Sequence, residues 1–260
     1  MTAWLDLTGR LVVVTGVGAR NSIGYETAKA LGELGAKLFV TSQSHRCKER
    51  AEDLRGENID AVSFPADLTV EAEVEKLVSE INKQGKVYAL INNAGMSSIT
   101  QPMSDTGESN SLENSTKESF EFSLSRNLTS VFLLTKKLLP ALRESKGRIV
   151  NITSVTGALM AMRNEVGYAA AKAGLLGLTR SIALDEAEHG ITVNALAPGW
   201  IATDNQTELE KNQGPKIPLG RSATPAEVGR VAAFLASPAA SYLTGQLLVV
   251  DGGNSIAEER

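Results

Sequence analysis

Short, continuously apolar runs alternate with helical segments along almost the whole chain. The first run, Leu11–Thr15, reads LVVVT and ends at a glycine. Successive side chains of a strand point to opposite faces of the sheet, so a strand that is apolar at every position is buried on both faces. Helices between such strands supply the crossover connections of a parallel sheet. The alternation therefore predicts an α/β fold.

Seven strands are predicted, at Leu11–Thr15, Lys37–Thr41, Ala61–Phe64, Val87–Asn92, Arg148–Thr153, Thr192–Leu196 and Leu247–Val250. The main helices are predicted at Ile23–Leu34, Arg46–Arg55, Glu71–Lys83, Lys117–Arg143, Asn164–His189 and Pro225–Ala236. No linker, internal repeat or shift in composition divides the chain. We therefore expect residues 1–260 to form a single doubly wound, Rossmann-like domain with a parallel sheet of about seven strands.

Two irregular segments interrupt this alternation, Met96–Thr116 and Gly199–Thr224. Each follows the carboxyl end of a predicted strand, which is the edge where open α/β sheets bind ligands. The first is dominated by Ser, Thr, Asn, Asp and Glu, and it is either an ordered pocket wall or a disordered loop.

Composition and charge exclude several classes of protein. The chain is 42% hydrophobic and 22% charged, and its net charge of -4 gives no reason to expect nucleic acid or an anionic membrane as a partner. Cys47 is the only cysteine in the sequence, so no disulfide framework is predicted. The two histidines, His45 and His189, have no partner at metal-ligand spacing, so no metal site is predicted either. No run approaches the ~18 apolar residues of a membrane span, and the N-terminus has no apolar signal region. We expect a cytoplasmic protein.

A glycine-containing loop follows the first predicted strand and reads TGVGARNSIG from Thr15 to Gly24. Glycines at such a position let the backbone turn tightly and approach a pyrophosphate. The helix that follows presents unpaired N–H groups and the positive end of its dipole. Although the loop is not a strict G-x-G-x-x-G, its strand–loop–helix context predicts a nucleotide site.

The residues after the second strand indicate which dinucleotide is bound. A site for NAD usually has an acidic residue there for the ribose 2′-hydroxyl, whereas an arginine accommodates a 2′-phosphate. No acid occurs from Lys37 to Lys48, Arg46 and Lys48 lie just after the strand, and Arg20 lies in the glycine loop. NADP (NADPH) is therefore favoured. NAD stays open, because Gln43 could bind an unphosphorylated ribose and the basic residues could lie on a solvated helix face.

Tyr168 and Lys172 are four residues apart in a predicted helix, so their side chains share one face. The residues between and just after them are small, which lets a flat ligand lie close to that face. An ammonium beside a phenol lowers the pKa of the phenol from about 10 and makes it a better proton donor near neutrality. Taken alone, such a pair is more often a surface tyrosine beside a solvated lysine, since helix-spaced pairs are common.

The ordered set of motifs resembles the short-chain dehydrogenase/reductase family over nearly the whole chain. Beyond the first strand and its loop, the matching pieces are Asp67-Leu68, Asn92-Asn93-Ala94-Gly95, Asn127, Ser154, Tyr168 with Lys172, Pro198-Gly199 and Asp251-Gly252-Gly253. The nearest general likeness is to 3-oxoacyl-carrier-protein reductases. The resemblance implies hydride transfer between a nicotinamide cofactor and a ketone or secondary alcohol, free or thioester-linked. It also implies a homodimer or homotetramer formed through the helices Lys117–Arg143 and Asn164–His189.

The resemblance assigns the catalytic roles to four residues. Tyr168 gives or takes the proton at the substrate oxygen, and Ser154 hydrogen-bonds the same oxygen. Lys172 holds the nicotinamide ribose hydroxyls and lowers the pKa of Tyr168, and Asn127 supports a water that links Lys172 to solvent. The residues expected to contact the cofactor are Gly16, Gly18, Arg20, Ser22, Ile23, Gly24, Gln43, Arg46, Asp67, Leu68, Asn93, Ala94, Gly95, Tyr168, Lys172, Pro198, Gly199, Ile201 and Thr203.

Three departures from the family pattern bear on the substrate. The glycine loop is two residues longer than usual, with Ser22 where a glycine is normal, as in the enoyl reductase branch. That branch spaces its Tyr and Lys more widely, so carbonyl chemistry is favoured. The second departure is the spacing between Ser154 and Tyr168, which is one residue longer than the spacing that is commoner in the family. The third concerns two segment lengths. Compared with ketoacyl reductases, Met96–Thr116 is longer and the segment between Thr203 and Pro218 is shorter.

The sequence leaves two alternatives to an NADPH-dependent ketoreductase. One is an NAD-dependent dehydrogenase of a polyol, sugar or sterol alcohol. The other is a catalytically silent nucleotide-binding regulator or scaffold.

Overall fold

A single parallel sheet forms the centre of the molecule in the computed structural model, which describes residues 3–95, 109–204 and 206–258. Its strands are β1 (Leu11–Thr15), β2 (Lys37–Thr41), β3 (Ala61–Ser63), β4 (Val87–Asn92), β5 (Arg148–Ile152), β6 (Thr192–Pro198) and β7 (Leu247–Val250). Their order across the sheet is β3-β2-β1-β4-β5-β6-β7, and every pairing is parallel. The predicted fold class is confirmed.

The helices lie on both faces of this sheet. They are α1 (Ile23–Glu33), α2 (Arg46–Gly56), α3 (Glu71–Asn82), α4 (Lys117–Leu124), α5 (Ser130–Ser145), α6 (Val155–Ala158), α7 (Val166–Asp185), α8 (Glu208–Lys211) and α9 (Pro225–Ala236). Val12 and Val14 of β1 belong to the core that includes α1 and α9, whereas Leu11 and Val13 belong to the opposite core with α3 and α5. This two-sided burial is the reason for the continuously apolar strands.

The predicted helix Lys117–Arg143 is interrupted. A π-helical turn, Ser125–Thr129, separates α4 from α5, and the Ser130 N–H donates to the carbonyl of Ser125, five residues earlier. Side chains bind the backbone at this turn: the Asn127 carboxamide donates to the Ser123 carbonyl (3.1 Å) and the Ser130 hydroxyl to the Arg126 carbonyl (2.8 Å). Such turns are frequent at functional sites, and this one contains a predicted catalytic residue.

A buried polar network fixes α7 against the sheet. The Asn92 carboxamide on β4 donates to the Asn151 carboxamide oxygen on β5 (2.8 Å) and to Thr135 on α5 (3.0 Å). Asn151 in turn donates to the Thr179 hydroxyl on α7 (2.9 Å), and all four side chains are buried. Helix α7 begins at Val166 and ends at Asp185, within the predicted range Asn164–His189. Its position relative to the ends of β4 and β5 is therefore set by hydrogen bonds as well as by apolar packing.

Two predictions about connecting segments have different outcomes. Residues 96–108, most of the irregular segment Met96–Thr116, lie outside the described residues, so whether they form an ordered wall stays open. The segment Gly199–Thr224 contains α8 and a 3-10 turn, Gly214–Lys216. Within the described ranges, none of the helices has the length and apolar content needed to cross a membrane.

Candidate active site

A cavity of about 710 Å³ opens at the carboxyl edge of the sheet. The chain segments that follow β1, β2, β4, β5 and β6 all contribute to its lining, together with the first turns of α7. It extends from the glycine loop to Tyr168 and Lys172. All the predicted site residues line this cavity except Arg20 and Asn127. The described residues contain no group of three or more His, Cys, Asp or Glu side chains that could hold a metal ion.

The glycine loop is closely packed against the end of β4. Gly16 has a φ of +75°, and a Cβ on it would lie 2.6 Å from the Asn93 carboxamide nitrogen and 2.9 Å from the Ala94 backbone. A Cβ on Gly24, in the first turn of α1, would lie 2.5 Å from the Gly16 carbonyl oxygen. Ser22 is the N-cap of α1, and its hydroxyl accepts the Tyr25 N–H (3.2 Å). The loop thus presents backbone and the start of a helix to the cavity, as a pyrophosphate requires.

Asp67 lies at the end of the cavity nearest β2 and is held as a carboxylate. Burial raises the pKa of Asp67, but hydrogen bonds from Thr69 and Gln43 outweigh burial and keep this pKa below its usual range. Thr69 donates to it through its N–H (2.9 Å) and its hydroxyl (2.6 Å), and the Gln43 carboxamide donates from the other side (2.8 Å). Asp67 and Gln43 therefore form one rigid polar pair at the predicted adenosine end.

The two predicted cofactor arginines are in different surroundings. The guanidinium carbon of Arg46 lies 3.8 Å from the position of a Cβ on Gly18, and Arg46 lines the cavity beside Ser42 and Ser44. Arg20 instead donates two hydrogen bonds to the Asp53 carboxylate on α2 (2.9 and 2.5 Å), and its side chain is 68% exposed. The structure brings Arg46 to the cavity but does not bring Arg20 there.

Tyr168 and Lys172 lie in the first turns of α7, on its buried face. Tyr168 is only 6% exposed and Lys172 only 3%. The Lys172 ammonium donates to the Ile152 carbonyl at the end of β5 (3.0 Å), and the Thr153 hydroxyl donates to the Lys172 carbonyl (2.8 Å). The ammonium nitrogen lies 5.6 Å from the centroid of the Tyr168 ring. The end of β5 therefore fixes both ends of Lys172 beside the phenol.

Asn127 lies behind this pair rather than in the lining. Its carboxamide nitrogen donates to the Ser123 carbonyl, and its carboxamide oxygen is buried without a hydrogen-bond partner in the described structure. Gly95 has a φ of +152°, and a Cβ on it would lie 2.8 Å from that oxygen and 3.5 Å from the Lys172 nitrogen. A buried acceptor without a partner is costly unless another polar group reaches it. The predicted water between Asn127 and Lys172 would supply such a partner.

One electrostatic prediction is wrong for this structure. Burial raises the pKa of Tyr168 to about 12, opposed by a hydrogen bond with Ser154 and reinforced by the charges of Glu165 and Glu210. Burial also lowers the pKa of Lys172 to about 8. Lys172 is not among the causes that act on Tyr168, so the expected lowering of the tyrosine pKa by this ammonium is not found. Loss of solvation dominates because the active-site phenol is almost completely buried.

The far end of the cavity contains residues that sequence patterns did not single out. They are Met160, Met162, Trp200, Gln206, Glu210 and Gln213. The capping box Thr207-x-x-Glu210 that begins α8 is visible in the sequence, but it does not reveal that Glu210 lines a cavity. We call these six residues the substrate end of the cavity.

Comparisons with known proteins agree with this geometry. A family model described as enoyl-(acyl carrier protein) reductase matches residues 16–255. The oxidoreductase UcpA of Salmonella typhimurium is 35% identical over 266 residues, which cover 97% of each chain. The 3-oxoacyl-(acyl-carrier-protein) reductase FabG of Vibrio cholerae is 36% identical over 255 residues, covering 96% of this chain and 98% of that one.

Solved structures share the whole fold. A crystal structure described as an NAD(P)-dependent gluconate 5-dehydrogenase from Beutenbergia cavernae, with NADP bound at low occupancy, matches with a TM-score of 0.88 and 32% identity. The match covers 98% of this chain and 100% of that one. A structure described as a gluconate dehydrogenase from Agrobacterium tumefaciens matches with a TM-score of 0.88 and 28% identity, covering 98% and 99% of the two chains.

Proposed function

Because the chain belongs to the short-chain dehydrogenase/reductase family, we propose that it is an NADPH-dependent reductase that converts a ketone to a secondary alcohol. The observation that carries this proposal is the convergence of Ser154, Tyr168 and Lys172 in one cavity with the glycine loop. The glycine-lined backbone at Gly16 and the start of α1 fit a dinucleotide pyrophosphate.

In the proposed reaction, the bound nicotinamide supplies the hydride. Ser154 and Tyr168 bind the substrate oxygen, and Tyr168 donates the proton that this oxygen takes up. With a pKa raised to about 12 by burial, the phenol of Tyr168 is protonated at neutral pH. A protonated phenol beside the carbonyl oxygen can donate the proton that ketone reduction requires. Lys172, held on the Ile152 carbonyl, is positioned to bind the ribose hydroxyls of the cofactor.

Substitution of Tyr168 by phenylalanine tests the proton donor. We expect kcat/KM for NADPH-dependent ketone reduction to fall by ~10²–10⁴-fold, the contribution of a positioned general acid. The affinity for NADPH, measured by fluorescence titration, should change little. Tyr242→Phe is the matched control, because Tyr242 is fully exposed at 101%. Retained activity in Tyr168→Phe would contradict the mechanism.

The preference for NADP rests on Arg46, which is close to Gly18 and beside Ser42 and Ser44. A hydrogen bond to a charged group contributes about 1.5–3 kcal/mol, so Arg46→Ala should weaken NADPH binding by about 10–100-fold. NADH binding should change much less. Arg20→Ala is the control, since its guanidinium is paired with Asp53. Unchanged NADPH affinity in Arg46→Ala, or in the double variant with Arg20→Ala, would refute the preference.

The second candidate function is an NAD-dependent dehydrogenase of a polyol, sugar or sterol alcohol. Gln43 supports it, because this side chain lines the cavity and is held against Asp67, where it could bind an unphosphorylated ribose. Two solved relatives are described as gluconate dehydrogenases, and gluconate is a polyhydroxylated compound. Rates with NADPH and NADH over panels of ketones and polyols separate the two candidates. A silent scaffold would bind the nucleotide but turn over neither panel.

A further inference from the structure

Both apolar and polar side chains line the substrate end of the cavity. Met160, Met162 and Trp200 provide the apolar side chains. Gln206, Glu210 and Gln213 provide two carboxamides and a carboxylate from the segment that contains α8. A ligand suited to this end therefore has both apolar surface and hydrogen-bonding groups.

Charges are distributed unevenly along the cavity. Among the described residues that line it, the charged ones are Arg46, Asp67, Arg126, Lys172 and Glu210. Arg46 lies beside the glycine loop, and Arg126 lies close enough to Asp67 to lower the pKa of that carboxyl. The Lys172 ammonium is buried on the Ile152 carbonyl. The charged lining residue at the substrate end is Glu210, which also raises the pKa of Tyr168.

Within the part of the chain that the structure describes, the cations near Glu210 do not offset the charge of its carboxylate. Lys211, next to Glu210 in the chain, pairs with Glu208 at 2.5 Å. Arg163 follows Met162 but is exposed and does not line the cavity. The stretch 96–116, which follows β4, contains three acidic residues and no Lys, Arg or His. A substrate carboxylate or phosphate at this end would thus meet a negative charge without a cation to pair with, which is unfavourable in a partly desolvated site.

We propose that Glu210 is a specificity-determining residue that makes the substrate end select uncharged ketones and alcohols over carboxylates and phosphates. Hydroxyl groups of such a substrate can donate to Glu210 and exchange hydrogen bonds with Gln206 and Gln213. The inference deepens the proposed function and rests on it. It also distinguishes this chain from a relative described as a gluconate 5-dehydrogenase, because gluconate is itself a carboxylate.

Glu210 is held in place by its own helix. Its carboxylate accepts the Thr207 N–H (2.6 Å) and hydroxyl (2.9 Å) in the capping box at the start of α8. A glutamine at the same position can form the same capping box. The substitution Glu210→Gln therefore removes the charge without removing the cap or the bulk of the side chain. Glu52→Gln is the matched control, since it removes a carboxylate charge by the same substitution, and Glu52 is exposed on α2 and does not line the cavity.

The probes are 3-oxobutanoate and its methyl ester, which differ in charge and little else. For each protein, kcat/KM with NADPH gives the preference for the ester over the acid. Affinities of both probes for the NADPH-loaded Tyr168→Phe protein, measured by calorimetry, give the same preference without turnover. We expect the wild type to prefer the ester by at least about tenfold, and Glu210→Gln to reduce that preference about tenfold. Glu52→Gln should leave the preference unchanged.

Several results would overturn the assignment. A wild type that prefers 3-oxobutanoate to its methyl ester would contradict the proposed role of Glu210. A preference for the ester that is unchanged in Glu210→Gln would contradict it as well. Loss of 3-oxobutanoate turnover in Arg163→Gln would show that this arginine binds carboxylate substrates, contrary to the proposal. Failure of the methyl ester to bind would show that the substrate end does not bind uncharged ketones, which would also refute the proposal. Ester-selective binding with no turnover of either probe, or of any ketone, would refute the proposed function and leave the role of Glu210 intact.

Discussion

Replacing Lys172 by methionine should stabilise the folded protein while it abolishes turnover. The Lys172 side chain is 3% exposed, and burial lowers its pKa from the ordinary 10.5 to about 8. Its ammonium has one hydrogen bond within the described structure, to the Ile152 carbonyl (3.0 Å). Methionine is of similar length, carries no charge and is tolerated in a helix interior.

The expected size of the effect follows from these two observations. A displacement of the Lys172 pKa from 10.5 to about 8 corresponds to about 3 kcal/mol of unfavourable free energy for the buried ammonium at neutral pH, since each pH unit is worth about 1.4 kcal/mol. Loss of the hydrogen bond to the Ile152 carbonyl opposes this gain by about 1 kcal/mol. We therefore expect the free energy of unfolding at pH 7 to rise by about 2 kcal/mol in Lys172→Met.

The pH dependence of the stability difference shows whether Lys172→Met is stabilised by loss of the buried ammonium or by better packing. Between about pH 8 and 10.5, the unfolded wild type still binds the Lys172 proton and the folded wild type does not. The unfolded state thus binds more protons in this window, so wild-type stability rises with pH relative to the variant. The destabilisation is complete below pH 8 and disappears as the pH rises toward 10.5. The advantage of Lys172→Met should shrink accordingly.

Urea unfolding of the nucleotide-free proteins at pH 7 and pH 9.5, followed by circular dichroism, measures the difference. Lys76→Met is the control, because Lys76 is exposed on α3, and it should change stability little and equally at both pH values. Ketone reduction by Lys172→Met is measured in parallel and should be lost. A variant less stable than the wild type at pH 7, or an advantage that does not change with pH, would refute the reasoning.

Two further predictions concern stability. Asn151→Leu removes the buried hydrogen bonds to Asn92 (2.8 Å) and Thr179 (2.9 Å), and it should lower the free energy of urea unfolding by about 3 kcal/mol; a loss under about 0.5 kcal/mol would contradict the network's role. Arg221 is the main cause that lowers the pKa of Glu227 to about 2, and the Glu227 side chain is 39% exposed, so Glu227→Gln should cost only about 1 kcal/mol at pH 7. Because the pKa of Glu227 is lowered on folding, this contribution is fully present above about pH 4.5 and is lost as the pH falls through about 2. The variant's deficit should therefore shrink steadily in urea titrations between pH 5 and pH 2, and a deficit that stayed constant over this range would rule out the charge as its origin.

The sequence predicted the fold because both faces of the sheet are buried. Each of the seven strands was visible as a short apolar run, and their ends were correct to within about two residues. The interruption of the helix Lys117–Arg143 was not predictable in the same way. The interruption occurs where the side chains of Asn127 and Ser130 donate hydrogen bonds to backbone carbonyls. Such bonds do not change the spacing of apolar residues, which is the signal that predicts a helix.

The two ends of the cavity differed in how far the sequence predicted them. Predicted cofactor residues such as Gly16, Asp67 and Gly95 follow strand ends, and a parallel sheet brings all strand ends to one edge. Arg20 does not line the cavity because it pairs with Asp53, 33 positions later, and no local pattern predicts such a partner. Glu210 likewise reaches the substrate end through a segment whose course depends on tertiary packing.

The surroundings of Lys172 bear on whether the chain is a catalyst or a silent scaffold. Within the described structure, a buried ammonium with a lowered pKa, a buried Asn127 carboxamide oxygen without a hydrogen-bond partner and the backbone of Gly95 all occur at one point. The buried ammonium and the unpaired oxygen each lower the stability of the fold, and a side chain at position 95 would collide with that oxygen. Local violations of stability rules are expected where a site is shaped for function. Nucleotide binding alone would account for the glycine loop, whereas a buried ammonium beside the Tyr168 phenol suits repeated proton transfer at that phenol.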